Sequence, residues 1–190
     1  MFKNYKKGNK IRYDIIEKIG EGNRGEVYKV KLENGIVAAI KWAKNYVIDK
    51  EWEILKFLNG LAAPKPIYKG KQYFIMEFVD GKPLKNFENT DEYYGILKEA
   101  LRNAFLLDEK GVFHGQLGRY YHIFKTKKGV KFIDFERGVF TDKPRNFLQI
   151  VGYYLYRDDK FDKKDLNLII ELYKKNRKEA LEKTIKVLDV

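Results

Sequence analysis

The sequence predicts an α+β protein with two lobes, in which an antiparallel sheet with one helix precedes a reduced helical part. Strand-like segments crowd into the first 80 residues. Only one helix-like segment, over residues 47–58, interrupts them. Amphipathic helical segments fill most of the remaining chain. We therefore predict an N-terminal lobe over residues 1–80, a helical lobe over residues 81–190 and a boundary near Gly81.

A glycine-rich turn is the first element that indicates a function. Its sequence is Ile19-Gly20-Glu21-Gly22-Asn23-Arg24-Gly25. Strand-like stretches at residues 11–19 and 26–32 flank it, whereas a dinucleotide-binding fingerprint would open a helix. Glycines let backbone N–H groups approach a phosphate chain without obstruction by side chains. The turn therefore predicts a nucleoside triphosphate site.

The next strand carries one lysine in an apolar run. Asn34-Gly35 is a hairpin signal, and it leads into a strand that ends Ile40-Lys41-Trp42. In the helix that follows, Glu51 falls on the apolar face, where a carboxylate is costly unless it is paired. We predict a Lys41–Glu51 ion pair. The alternative is a solvated Glu51 at the edge of the apolar stripe.

The later elements follow from similar patterns. Residues 72–78 form an apolar strand, and residues 130–133 form another. A long helix over residues 91–110 is closed by Gly111. Pro144 is predicted at the first position of a helix that runs to about Tyr156. Two more amphipathic helices have apolar stripes formed by Leu166, Ile169, Ile170 and Tyr173, and by Ala180, Leu181, Ile185 and Leu188.

Two short motifs follow the glycine turn, the lysine strand and the glutamate helix along the chain. His114-Gly115-Gln116-Leu117 follows the long helix, and Asp134-Phe135-Glu136 follows the strand at residues 130–133. Together with the glycine turn, Lys41 and Glu51, this order resembles the protein kinase-like superfamily. Only about fifty residues follow Glu136, so the chain is similar in economy to RIO-type kinases and to the small archaeal kinase associated with tRNA modification. The resemblance implies a two-lobed kinase-like fold.

The resemblance implies an ATP site in the N-terminal lobe. The glycine turn would cover the phosphates, and Lys41 would hold the α and β phosphates while paired to Glu51. Val27 and Ala39 would cover the base. Met76 would lie behind it, with the Glu77 carbonyl and the Val79 N–H at its edge. The residues so assigned are Ile19, Gly20, Glu21, Gly22, Asn23, Arg24, Gly25, Val27, Ala39, Lys41, Met76, Glu77 and Val79.

The chain departs from the family pattern at the catalytic loop. Gln116 stands where the family has its catalytic base, and an amide has no useful basicity. Tyr121 stands at the second metal-ligand position, so Asp134 is the remaining strong ligand for Mg²⁺ or Mn²⁺. Glu136 could supply a second carboxylate to the metal, but we favour a structural pairing with a nearby arginine (Arg119 or Arg137). By the resemblance, His114 braces the backbone near Asp134, and we expect His122 to serve in hydrogen bonding.

These residues predict an ATP-dependent, atypical serine/threonine protein kinase, with Lys41, Glu51 and Asp134 as catalytic residues and Gln116 marking the missing base. Phosphoryl transfer depends mostly on positioning, so a missing base need not abolish it. One alternative is a pseudokinase that acts as a nucleotide-gated binding module. Another is a small-molecule kinase, favoured by the lack of room for a peptide platform.

The composition of the chain predicts binding partners and a cellular compartment. Lysine and arginine number 39 against 27 acidic residues, giving a net charge of +12. This excess predicts RNA or a ribonucleoprotein as a partner, and a thermophile-like surface is the alternative. The chain has no cysteine and no apolar run long enough for a membrane span, so we expect a soluble, cytoplasmic protein. The basic clusters are Lys3, Lys6, Lys7, Lys10 and Arg12, and Lys174, Lys175, Arg177 and Lys178.

Overall fold

The computed structural model describes residues 11–44 and 46–189. The chain divides into two compact units, and the division falls between Asp80 and Gly81. The first unit contains a five-stranded sheet and one helix, and the second contains helices and two small sheets. The predicted α+β class, with an N-terminal antiparallel sheet and a helical C-terminal part, is confirmed.

The elements of the first unit are β1 (Tyr13–Gly22), β2 (Gly25–Leu32), β3 (Val37–Ala43), α1 (Asp49–Leu58), β4 (Pro66–Lys69) and β5 (Tyr73–Glu77). Its sheet is antiparallel, with strand order β1-β2-β3-β5-β4. Helix α1 is followed by its C-cap Asn59, whose left-handed backbone (φ 44°) is one that asparagine tolerates.

The register of this sheet gives each face a different character. On one face lies a buried apolar cluster formed by Val30, Leu32, Ala38, Ile40 and Ile75. On the other face Val27, Lys41 and Phe74 stand opposite one another across three strands, with Ala39 beside Met76 in the next row. Since directly paired residues share a face, the register places Lys41 among the residues predicted to surround a nucleotide base.

The second unit is built around α2 (Glu92–Glu109). Helix α3 (Asn146–Ile150) continues into a π-helical turn, Val151–Leu155, and α4 (Lys163–Lys175) packs on α5 (Arg177–Val187). The short strands form the sheets β6-β8-β9 and β7-β10. They are β6 (Gly81–Pro83), β7 (Val112–Phe113), β8 (Ile123–Thr126), β9 (Gly129–Phe132) and β10 (Val139–Phe140).

The predicted position of Pro144 is wrong. Helix α3 begins at Asn146, with Arg145 as its N-cap, so Pro144 precedes the helix instead of opening it. The physical reason is that the carboxylate of Asp108 binds the start of the helix. The backbone N–H groups of Asn146 and Phe147 donate to Asp108, at 2.9 and 3.1 Å, and this contact sets where the helix starts.

Candidate functional site

The glycine-rich turn is the tip of the β1–β2 hairpin, with Asn23 and Arg24 between the paired residues Gly22 and Gly25. Packing requires glycine only at position 25, where a Cβ atom would lie 2.2 Å from the carbonyl oxygen of Trp42. At Gly22, no atom of the described chain comes within 4 Å of such a Cβ. The fold therefore leaves open space above the hairpin tip.

Ion pairs brace this hairpin. Lys18 donates to Glu21 at 2.6 Å and to Glu26 at 2.9 Å, and Lys44, just past β3, donates to the same two carboxylates at 3.2 and 2.9 Å. Hydrogen bonds from Lys18, Lys44 and Tyr28 lower the pKa of Glu26 to about 2. The predicted phosphate-site residue Glu21 is thus held within a network of alternating charges.

The buried ion pair predicted in the first unit is present. Lys41 Nζ donates to both carboxylate oxygens of Glu51, at 3.0 and 2.9 Å. Both residues are buried, with 6% and 2% of their surface exposed. The hydroxyl of Tyr46 donates to Glu51 at 2.8 Å, and burial together with this carboxylate raises the pKa of Tyr46. The sequence interpretation missed Tyr46, because it lies before the helix and outside the apolar pattern.

The residues predicted to hold a base lie on β2, β3 and β5. Val27 and Ala39 share the sheet face of Lys41, and Met76 pairs with Ala39. Glu77 ends β5 and is tied to Lys65, whose N–H donates to the Glu77 carboxylate at 3.0 Å. Val79, half-buried, lies in the coil just after β5, and Ile19 lies exposed on β1.

In the second unit, His114 is fully buried and links two segments. Its Nε2 lies 2.9 Å from the carbonyl oxygen of Ile133, and its Nδ1 lies 3.3 Å from the N–H of Gln116. A neutral ring protonated at Nε2 satisfies both contacts, donating to the carbonyl and accepting from the N–H. Burial lowers the pKa of His114 to about 4. The expected bracing of the segment before Asp134 is therefore present.

A network that the sequence interpretation missed holds the backbone of His114. The Asn146 side-chain oxygen accepts from the His114 N–H at 2.8 Å, while its amide group donates to Asp108 at 2.7 Å. Tyr173 donates to the same carboxylate at 2.5 Å. Burial raises the pKa of Asp108 although these donors oppose the shift. The signal available was Asp108 itself, a carboxylate in the buried stripe of α2.

Asp134 follows β9 in a left-handed backbone conformation, with φ of 65°. Non-glycine residues held in this region cluster at functional sites. Its carboxylate is about a third exposed, and one oxygen lies 3.6 Å from Nε2 of the buried His122. The neighbouring Phe135 is fully buried with its ring 4.4 Å from that of His114.

Gln116, at the predicted base position, is only 7% exposed. Its side-chain oxygen has no hydrogen-bond partner among the described residues. An amide in this position offers a weak acceptor and no proton-accepting group.

The donor set near Asp134 fits one kind of metal site. Across residues 11–44 and 46–189, no group of three or more metal-ligating side chains comes together. Mg²⁺ does not need such a group, because it is commonly bound through one or two carboxylates, water and substrate phosphates. The partly exposed Asp134 suits that arrangement. Tyr121, at the second ligand position, is 61% exposed, and Glu136 is half-buried.

The predicted basic clusters are only partly visible. Lys3, Lys6, Lys7 and Lys10 lie outside the described residues. In the second cluster, Lys174 pairs with Glu171 and Arg177 with Glu109. No helix among the described residues is long and apolar enough to cross a membrane.

Comparison with known proteins identifies the family. The model of the RIO domain matches residues 28–184, most of the chain. The chain belongs to the RIO domain family. This RIO domain is also similar to a curated protein of Lactococcus lactis subsp. lactis (strain IL1403), the probable serine/threonine-protein kinase PknB, at 28% identity over 146 residues.

The matches differ in extent. The alignment with the Lactococcus kinase covers 65% of this chain but only 23% of that protein. The match to the RIO domain begins at Tyr28, within β2 and after the glycine-rich turn, so the assignment of that turn depends on its own residues. The resemblance to an atypical protein kinase-like superfamily is confirmed.

Proposed function

We propose that this RIO domain binds ATP with Mg²⁺ or Mn²⁺ and transfers the γ-phosphoryl group to a serine or threonine hydroxyl of a protein. The observation that carries the proposal is the buried Lys41–Glu51 pair on the sheet face that also bears Val27 and Ala39. In kinase-like folds a strand lysine paired to a helix glutamate holds the phosphates of ATP, and the buried Lys41–Glu51 pair supports the same role here.

The open space at the hairpin tip supports the same proposal. The chain's own packing explains the glycine at position 25 but not the one at position 22. A phosphate chain passing close to the backbone would explain the missing side chain at Gly22.

Asp134 is the residue proposed to hold the metal. Its carboxylate is about a third exposed, and its backbone is held in the left-handed conformation. A divalent cation bound there would neutralise charge on the phosphates and orient them. We keep Glu136 as a proposed second contributor to this site, beside the alternative of a structural pairing.

In the proposed reaction, the hydroxyl oxygen of the acceptor forms a bond to the γ-phosphorus as the bond from that phosphorus to the bridging β–γ oxygen breaks. The hydroxyl proton leaves to solvent, since Gln116 cannot accept it. Lys41 would stabilise charge on the α and β phosphates while Glu51 keeps its ammonium in place. General base catalysis is worth about 10²–10⁴-fold, so we expect slow transfer.

A second candidate function is supported by Gln116. A buried amide at the base position suits a domain that binds ATP without transferring phosphate and uses the nucleotide to gate a partner. This candidate shares the ATP site with the first and differs only in the outcome of transfer.

The test measures binding and transfer together. The full chain is incubated with γ-labelled ATP and Mg²⁺ or Mn²⁺, with and without casein as acceptor, beside the variants Lys41→Met and Asp134→Asn. Matched controls are Lys31→Met, an exposed lysine on β2, and Asp142→Asn. We expect label on a protein hydroxyl that falls by at least about 100-fold in the two site variants and is unchanged in the controls.

The outcomes separate the candidates. ATP binding lost in Lys41→Met, with no label transfer in the parent, supports the nucleotide-gated module. Label transfer equal in the parent and in Asp134→Asn contradicts the assigned site. Circular dichroism of each variant confirms that it is folded.

A further inference from the structure

A cleft of about 1330 Å³ lies entirely within the second unit. We call it the tyrosine cleft, after the five rings that line it: Tyr93, Tyr94, Tyr120, Tyr153 and Tyr154. Small-molecule pockets commonly enclose roughly 300–1,000 Å³, so this cleft has room for a larger ligand. Its lining contains none of the residues proposed above to hold ATP or the metal.

The rings are held in place by the fold. Tyr120 packs edge-on against Tyr154 with centroids 4.8 Å apart, and the Tyr154 hydroxyl donates to the Leu117 carbonyl at 2.8 Å. Tyr153 leans on Gly118, where an added Cβ would lie 2.5 Å from its ring. Tyr153 and Tyr154 belong to the π-helical turn, a feature that is frequent at functional sites.

The charges on the cleft wall are unlike those of the whole chain. Four carboxylates and two cations line the cleft, although the chain carries a net charge of +12. Asp158 accepts from the Tyr94 hydroxyl at 2.6 Å. Asp91 and Asp159 are exposed and form no hydrogen bond or ion pair within residues 11–44 and 46–189. The four carboxylates are Glu88, Asp91, Asp158 and Asp159.

The chain's own cations already lie over these rings. Arg157 lies 4.7 Å from the centroid of Tyr153, and Lys160 lies 5.0 Å from that of Tyr94. A cation over a tyrosine face within about 6 Å is attracted by the ring quadrupole. Both cations are on exposed, flexible side chains, so a ligand bearing the same groups has a path to replace them.

We propose that the tyrosine cleft binds a polypeptide segment bearing lysine or arginine side chains. In the proposed complex, the cationic groups of this segment lie over the tyrosine rings and against Asp91 and Asp159. Nucleic acid would find stacking surfaces here, but the carboxylates repel its phosphates. A free amine is far smaller than the cleft. The lining includes none of the residues proposed to hold ATP or the metal, so peptide binding is testable whether or not the domain transfers phosphate.

The test uses fluorescence anisotropy of a labelled twelve-residue peptide of alternating arginine and serine, added to the full chain. Its partner peptide carries citrulline in place of every arginine and has the same size without the charge. Because the protein carries a net positive charge, non-specific electrostatic forces repel the arginine peptide more than the citrulline peptide. We expect saturable binding that weakens by about tenfold or more with citrulline.

Two variants locate the binding. Asp91→Asn combined with Asp159→Asn is expected to weaken binding about fivefold without affecting the fold, since both side chains are exposed and neither forms a hydrogen bond or ion pair within the described residues. The matched control, Asp142→Asn with Glu182→Gln, makes the same charge change elsewhere and is expected to bind as the parent does. Gly118→Ala displaces the Tyr153 ring and is expected to weaken binding as well.

Three results would overturn the proposal. They are no saturable binding of the arginine peptide, equal binding of the citrulline peptide, and equal weakening by the cleft variant and its control. Oligouridylate that displaces the peptide from the parent, and whose own binding is lost in Gly118→Ala, would assign the cleft to nucleic acid instead.

Discussion

Two buried carboxylates, one in each unit, are stabilised in different ways. Glu51 in the first unit faces a full positive charge on Lys41 and the hydroxyl of Tyr46. Within residues 11–44 and 46–189, the carboxylate of Asp108 in the second unit accepts hydrogen bonds only from neutral groups, supplied by Asn146, Phe147 and Tyr173. Both are 2% exposed, so the degree of burial does not distinguish them.

The two environments match a ligand-binding role proposed for the Lys41–Glu51 pair and a scaffolding role for Asp108. The Lys41–Glu51 pair fixes the position of an ammonium group, which the proposed function assigns to the phosphates of ATP. The Asp108 carboxylate accepts from the first N–H groups of α3. The side chain of Asn146 then links this carboxylate to the backbone of His114. Asp108, surrounded by neutral donors, is a structural joint, whereas the Lys41–Glu51 pair is the one proposed above to face a ligand.

The largest expected effect tests the structural joint. Asp108→Ala leaves the donors of Asn146, Phe147 and Tyr173 buried without an acceptor, and we expect it to lower the free energy of unfolding by about 4 kcal/mol. Urea unfolding measures the change. Glu109→Ala, at the exposed neighbouring position, serves as control and is expected to change stability little. A loss equal to that of the control would contradict the joint.

A somewhat smaller effect tests the ion pair. Lys41→Met strands the Glu51 carboxylate, at a cost of about 3 kcal/mol in the free energy of unfolding. The double variant Lys41→Met/Glu51→Leu removes both charges and is expected to recover most of that loss, because an apolar pair of similar volume replaces a buried salt bridge well. The measurement is a double-mutant cycle by urea unfolding. No recovery in the double variant would remove the distinction between the two carboxylates.

The pH dependence of stability sharpens the description of the second unit. Burial lowers the pKa of His114 to about 4, so the folded state favours the neutral ring. The stability from this group is therefore complete above the unfolded pKa of about 6.5 and is lost as pH falls toward 4. We expect a loss of about 2 kcal/mol between pH 6.5 and 4.5.

The matched variant is His114→Gln, which has no titrating ring. Urea unfolding of both proteins across this pH range isolates the contribution of His114 as the difference between their two slopes. Identical slopes would show that His114 is not buried as a neutral ring.

The smallest effect is expected at the glycine hairpin. Lys18 and Glu21 are exposed, and ion pairs at the surface contribute little. We expect Lys18→Met to leave the urea midpoint within experimental error at 1 M NaCl, where such pairs are screened. A marked loss of stability at high salt would show that the hairpin depends on this network for folding.

The pattern of residues predicted much of the first unit. The apolar face of one helix was enough to select Glu51 over Glu53, because helical periodicity places residues without reference to the rest of the chain. The same reasoning applied to α2 would have selected Asp108, which lies in the stripe formed by Ala104 and Leu107. The sequence interpretation gave only the bounds of that helix and its closure by Gly111.

The rest of the second unit depends on contacts that no local pattern records. Asn146 lies 38 residues from Asp108 in the chain, and their pairing follows from how α2 and α3 pack. The π-helical turn that places Tyr153 and Tyr154 in the cleft has no distinct sequence signal. Pro144 was misplaced because its local preference for a first helical position yielded to the Asp108 contact.

The left-handed backbone of Asp134 restricts which residues can replace it. Asparagine and glycine tolerate a φ of 65°, whereas β-branched residues do not. Asparagine, the least disruptive replacement, preserves the backbone and removes the charge. Under the proposed function, this single substitution would remove the charge that holds the metal while leaving the backbone conformation at position 134 intact.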